Sequence, residues 1–327
     1  MANEQELELR ARERIALIHA AQGRLREARL ALRRVELLSD PDGPSSFTRG
    51  ARALVAAESL KPEAKDLIEA IVHDEIPDPY WPLLLLGSAR WRTAHGGAAA
   101  VLEEAALTQI SRSVKPQTFA RSTLLAIRAN ALIAMGRPST ATNELGAEET
   151  LETPELALAR ASAEVLCGSP LKGARAMRRL ATNQDVGPSV RAEALLMGLW
   201  PNPQDSVEAG HTIQVARELI EREGVRRVLL AVPSELSRLV CPGELSAGEQ
   251  RNPLSAPVVL RGSERRVLVA LAEEGSLRDV AHRLGISMNT LKTHARAIYQ
   301  KLDVSSRADA VRVADRHGLL EQGVDDR

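Results

Sequence analysis

Between Ser287 and Lys301 the sequence reads "SMNTLKTHARAIYQK" and gathers Asn289, Thr290, Lys292, Thr293 and Arg296 within two helical turns. Long cationic donors beside short hydroxyl and amide groups are poorly suited to bond-breaking chemistry. They are well suited to reading a polyanion with patterned edges, because Lys and Arg donate to guanine O6 and N7 in a major groove. A hydroxyl at a helix N-terminus, here Thr290, can donate to a phosphate where the helix dipole also favours an anion. Catalytic alternatives find no support. The seven histidines (His19, His73, His95, His211, His282, His294 and His317) include no H-E-x-x-H pair, and "HDEIPD" at 73–78 reads as a solvated loop. His294 lies inside the same helix and reads as structural or phosphate-facing. Cys167 and Cys241 stand far apart at no ligand or redox spacing, so they read as small buried residues in a reducing compartment. No enzyme activity, cofactor or metal is expected.

The elements that hold this row in place are also legible. Leu291, Ala295, Ile298 and Leu302 recur at i, i+4, i+7 and i+11, one buried stripe. Subtracting it leaves Asn289, Lys292, Thr293, Arg296 and Gln300 on the opposite face. Upstream, "SERRVLVALAEEG" places Val267, Leu268 and Leu271 on one side of a first helix. "SLRDVAHRL" opens with Ser276 and Asp279 as a capping box and buries Val280, Ala281 and Leu284. Gly285 then permits a tight bend, Ile286 plugs the core and Ser287 caps the next helix. A fourth helix, "SSRADAVRVADRHGLL", opens on a second capping box at Ser306 and Asp309. Two helices joined by a glycine turn, the second presenting donors, predict a helix-turn-helix.

The preceding 240 residues repeat one pattern: an apolar helix, a turn and an Ala-rich helix. Turns are predicted at Gly23, at Gly96 or Gly97, at Gly136 and at Gly168, with a glycine-free turn near Lys61 and Pro62. A sixth unit begins at "LLMGLW". Intervals of about 32 to 40 residues fall in the range of tetratricopeptide-like and related arrays. Hydrophobic residues at 44% against 2% aromatics favour helices packed through small side chains and disfavour a sandwich or barrel. Tyr80, Trp81, Trp91 and Trp200 read as packing residues rather than a ligand cage. The expected fold is all-α: a degenerate tetratricopeptide-like helical-repeat array over 1–241, a Pro/Gly/Ser-rich linker at 242–257 and a four-helix helix-turn-helix domain over 258–327. The segment "EREGVRRVLLAVPSELSRLV" is expected to close the array.

Lys and Arg balance Asp and Glu at 43 each, but unevenly. Residues 261–316 carry a net +4 and the remainder −4, as expected of a basic segment that meets a polyanion. "MANEQELELRARER" is too charged for a signal peptide, and "WPLLLLGSA" is too short to span a bilayer. A cytoplasmic protein without a membrane partner is expected.

Leu260, Glu264, Val267 and Leu268, then "DVAHRLGIS", "NTLKTHARAIYQKLDVSSRADAV" and "GLL", strongly resemble the DNA-binding domain of LuxR-type transcription regulators. About 60 of the 327 residues carry the likeness. The resemblance implies that Lys292, Thr293 and Arg296 read bases, and that Ser287, Asn289, Thr290 and Lys301 meet the backbone. It further implies that the last helix, through Arg307, Ala310, Val311 and Ala314, serves dimerisation on an inverted repeat, with RNA polymerase as a further partner. A looser likeness, of architecture rather than motif, is to the large maltose-regulator-like branch, which carries helical repeats before the same domain. That branch begins with an ATPase, and no G-x-x-x-x-G-K-[ST] string occurs here. The signal expected at the repeats is a peptide, protein or small molecule. Three departures stand out: Arg261 and Gly262 replace the usual Thr-Pro, Gly275 falls one place late, and His282 replaces a common Glu. The competing function is an interaction scaffold whose C-terminal domain binds DNA weakly.

Overall fold

The computed structural model describes residues 2–38, 43–71, 79–146, 150–166, 170–199, 207–242, 260, 262–273, 275–302, 306–316 and 319–320. Every regular element among them is a helix.

Twelve helices form six successive hairpins. They are α1 (Ala2–Ala21) with α2 (Leu25–Leu37), α3 (Ser46–Glu58) with α4 (Ala64–Ile71), α5 (Trp81–Ala94) with α6 (Ala98–Ser111), α7 (Phe119–Ala134) with α8 (Pro138–Gly146), α9 (Pro154–Leu166) with α10 (Pro170–Thr182), and α11 (Pro188–Met197) with α12 (Val207–Glu223). Each even-numbered helix packs on its own partner, and each odd-numbered helix packs on the next odd-numbered one. The odd helices are therefore an inner layer, covered on more than one side. Their composition suits that position. In α7, Leu124, Ala126, Ala129 and Ala131 are all completely buried, and the alanines let neighbouring backbones approach closely. On α2 the buried residues Leu25, Ala28, Ala31, Leu32 and Val35 follow the helical period, and Arg26, Arg33 and Arg34 take the other face.

The predicted turns fall where expected at Gly23, Gly96 and Gly136, each with positive φ. Gly96, not Gly97, takes the left-handed position. The glycine-free turn places that conformation on Leu60, one residue before the Lys61–Pro62 pair, with φ 52°. Lys61 N–H returns to the Ala56 carbonyl at 2.9 Å and Leu60 N–H to that of Ala57 at 3.2 Å, which satisfies the helix end despite the strain. Gly168, Cys167 and Trp200 lie outside the described residues. Trp81 is buried, Tyr80 and Trp91 are packed against the same core, and Arg112 lies over the Trp81 ring, 4.7 Å from its centroid. These aromatics are packing residues, as expected.

The last hairpin closes back on the first. A Cβ at Gly187, just before α11, would stand 2.1 Å from the Gln22 carbonyl, and one at Gly23 would stand 2.6 Å from Ser189 Cβ. Only glycine allows these two turns to interlock. Arg24 donates to the Asp185 carbonyl across the same contact at 3.3 Å. The expected closing segment forms two short helices, α13 (Val228–Ala231) and α14 (Ser234–Val240). Just before α13, Arg227 Nε donates to Glu58 Oε1 at 2.7 Å and its Nη2 to Ser189 Oγ at 2.9 Å. One buried guanidinium thus ties the closing segment to α3 and α11.

The predicted linker, except Pro242, lies outside the described residues. Beyond it come α15 (Gly262–Ala272), α16 (Leu277–Leu284), α17 (Met288–Lys301) and α18 (Arg307–Arg316), the four helices expected. They have their own core, in which Leu268, Val280, Leu291, Ile298, Ala310 and Ala314 are completely buried.

Candidate nucleic-acid interface

Two capped helices and one glycine set the geometry of the site. Ser276 Oγ accepts from Asp279 N–H at 3.3 Å, and Asp279 Oδ2 accepts from Ser276 N–H at 2.7 Å, completing the predicted capping box of α16. Hydrogen bonds from the Ser276 side chain and amide hold the Asp279 carboxyl below its ordinary range. At the other end Gly285 takes φ 62° and ψ 31°. Its N–H reaches the His282 carbonyl, and Ile286 N–H reaches that of Ala281, both at 3.1 Å. A Cβ at Gly285 would meet nothing within 4 Å, so backbone conformation alone selects glycine here. Gly285→Ala is therefore expected to cost about 1 kcal/mol of domain stability, read by chemical unfolding, with α17 still presenting the same face.

Ser287 caps α17, accepting from Thr290 N–H at 3.1 Å, and its hydroxyl also bonds that of Thr290 at 2.8 Å. Leu291, Ala295, Ile298 and Leu302 face the core as predicted. Asn289, Thr290, Lys292, Thr293 and Arg296 are all exposed together on the outer side. Neither Lys292 nor Arg296 makes a hydrogen bond or ion pair with another described residue. Thr293 Oγ1 donates to the Asn289 carbonyl at 3.0 Å. What Thr293 still offers a ligand is a lone pair and a methyl group.

The domain's other cations differ. Lys301 donates to the buried Glu264 Oε2 at 2.6 Å, which fastens the end of α17 to α15. Arg283 bonds the Ala270 carbonyl at 3.2 Å and pairs with Glu273 at 3.1 Å. Arg307 spends its guanidinium on the carbonyls of Leu271 at 2.8 Å and of Glu273 and Gly275 at 2.7 Å. It caps the C-terminal end of α15, whose last carbonyls lack helical partners. Ala310 and Ala314 are completely buried in the domain core and Val311 is half-buried, so the interior takes much of the predicted dimerisation set. The inward roles of Lys301 and Arg307 had no signal in spacing, since their partners lie more than thirty positions away. His282 is exposed, as expected, and the side chains of Asp309 and Gln300 lie outside the described residues.

A helix pair of this shape, with a row of exposed polar side chains on the second helix, defines a helix-turn-helix unit. Residues 259–314 match the family described as bacterial regulatory proteins, luxR family. The chain is 44% identical over 77 residues to the probable transcriptional regulatory protein NarL of Mycobacterium tuberculosis. It is 48% identical over 52 residues to the probable transcriptional regulatory protein SgaR of Hyphomicrobium methylovorum. These stretches cover 23% and 16% of this chain, and 35% and 25% of the two relatives. The chain thus spans about a third or less of the relatives it matches. No solved structure matches it at a significant level. Among the described residues no helix is long and apolar enough to cross a membrane, and no cluster of His, Cys, Asp or Glu could hold a metal ion.

Proposed function

We propose that this protein is a sequence-specific DNA-binding transcription regulator whose α17 enters the major groove. The carrying observation is the pair Lys292 and Arg296, exposed and unengaged while Arg283, Lys301 and Arg307 are held by the domain itself. Lys292 and Arg296 donate to base edges, and Thr293 offers its methyl to a thymine methyl. Asn289, Thr290 and Ser287, at the positive end of α17, lie against the phosphates. Lys301 contributes to the backbone grip mainly by holding α17 in place through Glu264. Two copies on an inverted repeat meet through the outer side of α18, where Ala308 is exposed and Val311 half-buried. RNA polymerase is the further partner, and the cytoplasm the place of action. The helical body is a degenerate tetratricopeptide-like array that senses a signal and modulates the bound state. The order in which its odd-numbered helices stack supports that reading.

One observation favours the scaffold alternative: with Lys301 and Arg307 turned inward, fewer cations remain for phosphates. Selection of bound sequences from a random DNA pool, repeated across a salt series, separates the two. A regulator enriches one inverted motif, and its affinity falls linearly on a log–log salt plot. A scaffold enriches none.

A further inference from the structure

Between α5, α7, α9, α11 and α13 lies a partly open cavity of about 60 Å³. Most of its wall is apolar, from Leu86, Ile127, Ile133, Leu158, Met197 and Leu230. At that size it holds roughly five waters, or one small organic molecule. Two charged groups on the cavity wall are held only by long ion pairs. The Arg90 side chain is 7% exposed, makes no hydrogen bond to a described residue, and stands 3.8 Å from its nearest carboxylate oxygen, on Glu155. Glu193 lies 3.6 Å from Arg227, whose hydrogen bonds go instead to Glu58 and Ser189. Burial raises the Glu193 carboxyl above its ordinary range, and Arg227 and Arg90 offset this only in part. A buried guanidinium and a largely buried carboxylate, each held by an ion pair longer than 3.5 Å on the wall of an apolar chamber, are costly unless something completes them.

We infer that the cavity binds a small apolar α-amino acid, with its carboxylate on Arg90, its ammonium on Glu193 and its side chain against the Ile127–Ile133–Leu158 wall. Each loosely paired charge gains a closer opposite, and a zwitterion adds no net charge to the chamber. A monocarboxylate alone would leave Glu193 unanswered, and an amine alone would leave Arg90 so. Asn130, also on the wall, supplies a neutral donor and acceptor beside the two charges. The site gives the proposed sensing body a ligand class. It rests on that reading for the effect on DNA and not for the binding itself.

Isothermal titration calorimetry on the full chain tests it with three probes differing by one group: L-valine, 3-methylbutanoate (the ammonium deleted) and isobutylamine (the carboxylate deleted). Valine is expected to bind, and each deletion to bind at least tenfold more weakly, because it strands a buried charge. Arg90→Gln should weaken valine at least tenfold. Ala94→Leu, which fills the chamber without touching a charge, should do the same; circular dichroism confirms that both variants keep their helices. The inference is overturned if no probe binds, if either single-ended probe matches valine, or if both variants keep valine's affinity. DNA affinity measured with and without valine is a separate readout. Valine binding with unchanged DNA affinity keeps the site and removes the sensing role.

Discussion

Lys292→Ala combined with Arg296→Ala is expected to abolish discrimination between the selected motif and random DNA. Each side chain is exposed on the outer face of α17 and free of partners among the described residues, so neither truncation opens a cavity or strands a buried group there. Fold stability should change by less than about 0.5 kcal/mol. What is lost is base readout, worth about 1–3 kcal/mol for each good contact. Together the losses amount to roughly two to four powers of ten in affinity for the preferred site, at 1.4 kcal/mol per tenfold. Non-specific binding should fall far less, because the proposed phosphate contacts of Ser287, Asn289 and Thr290 are left in place. Competition titrations with the enriched motif against scrambled DNA at one salt concentration make the comparison. A double variant that kept its preference would move the reading face away from α17's outer side. Thr290→Ala, by contrast, should weaken all sequences alike, since Thr290 sits at the helix start with its hydroxyl on Ser287.

The largest effect on stability is expected from Arg227. Its side chain is 3% exposed and that of Glu58 5%, so the pair is dry. Burial alone would push the Arg227 guanidinium down, but Glu58 and Glu193 more than offset this and hold it above its ordinary value. Arg227→Met removes the cation that pairs with Glu58 at 2.7 Å and with Glu193 at 3.6 Å, and leaves two carboxylates in the interior. Breaking a buried pair from one side typically costs about 3–5 kcal/mol. The backbone bond from Arg227 N–H to the Glu58 carbonyl, at 2.9 Å, is kept by methionine, so the loss reports the guanidinium alone. Adding Glu58→Gln should recover part of the loss, since only Glu193 is then left without its Arg227 partner. Urea unfolding followed by far-ultraviolet circular dichroism measures both. A single-variant loss below about 1 kcal/mol would mean that water reaches Glu58.

The contrast between the two sites shows which information is local. Every feature that shapes the α16–α17 turn sits within a few residues of its partner. Ser276 caps toward Asp279, Gly285 takes the left-handed turn, and Ser287 caps toward Thr290. Helical periodicity then divides α17 into a buried stripe and a donor face, and both were legible without coordinates. The glycine turns of the body were legible for the same reason. The position of Leu60 was not, because a left-handed leucine is held there by its helix end rather than by its own preference.

The sequence by itself determined the class of the fold, the four helices of the C-terminal domain and the face of α17 that points outward. Each follows from spacing of four residues or fewer, or from a single short repeat of apolar positions. Only the tertiary structure decided that Lys301 and Arg307 serve their own domain, that Ala310 and Ala314 are interior, and that the last hairpin interlocks with the first. Only it brought Glu58, Ser189 and Arg227 into one buried group. Those pairings join residues 32 to 169 positions apart. No local period encodes such separations, and they exist only once the helices have stacked.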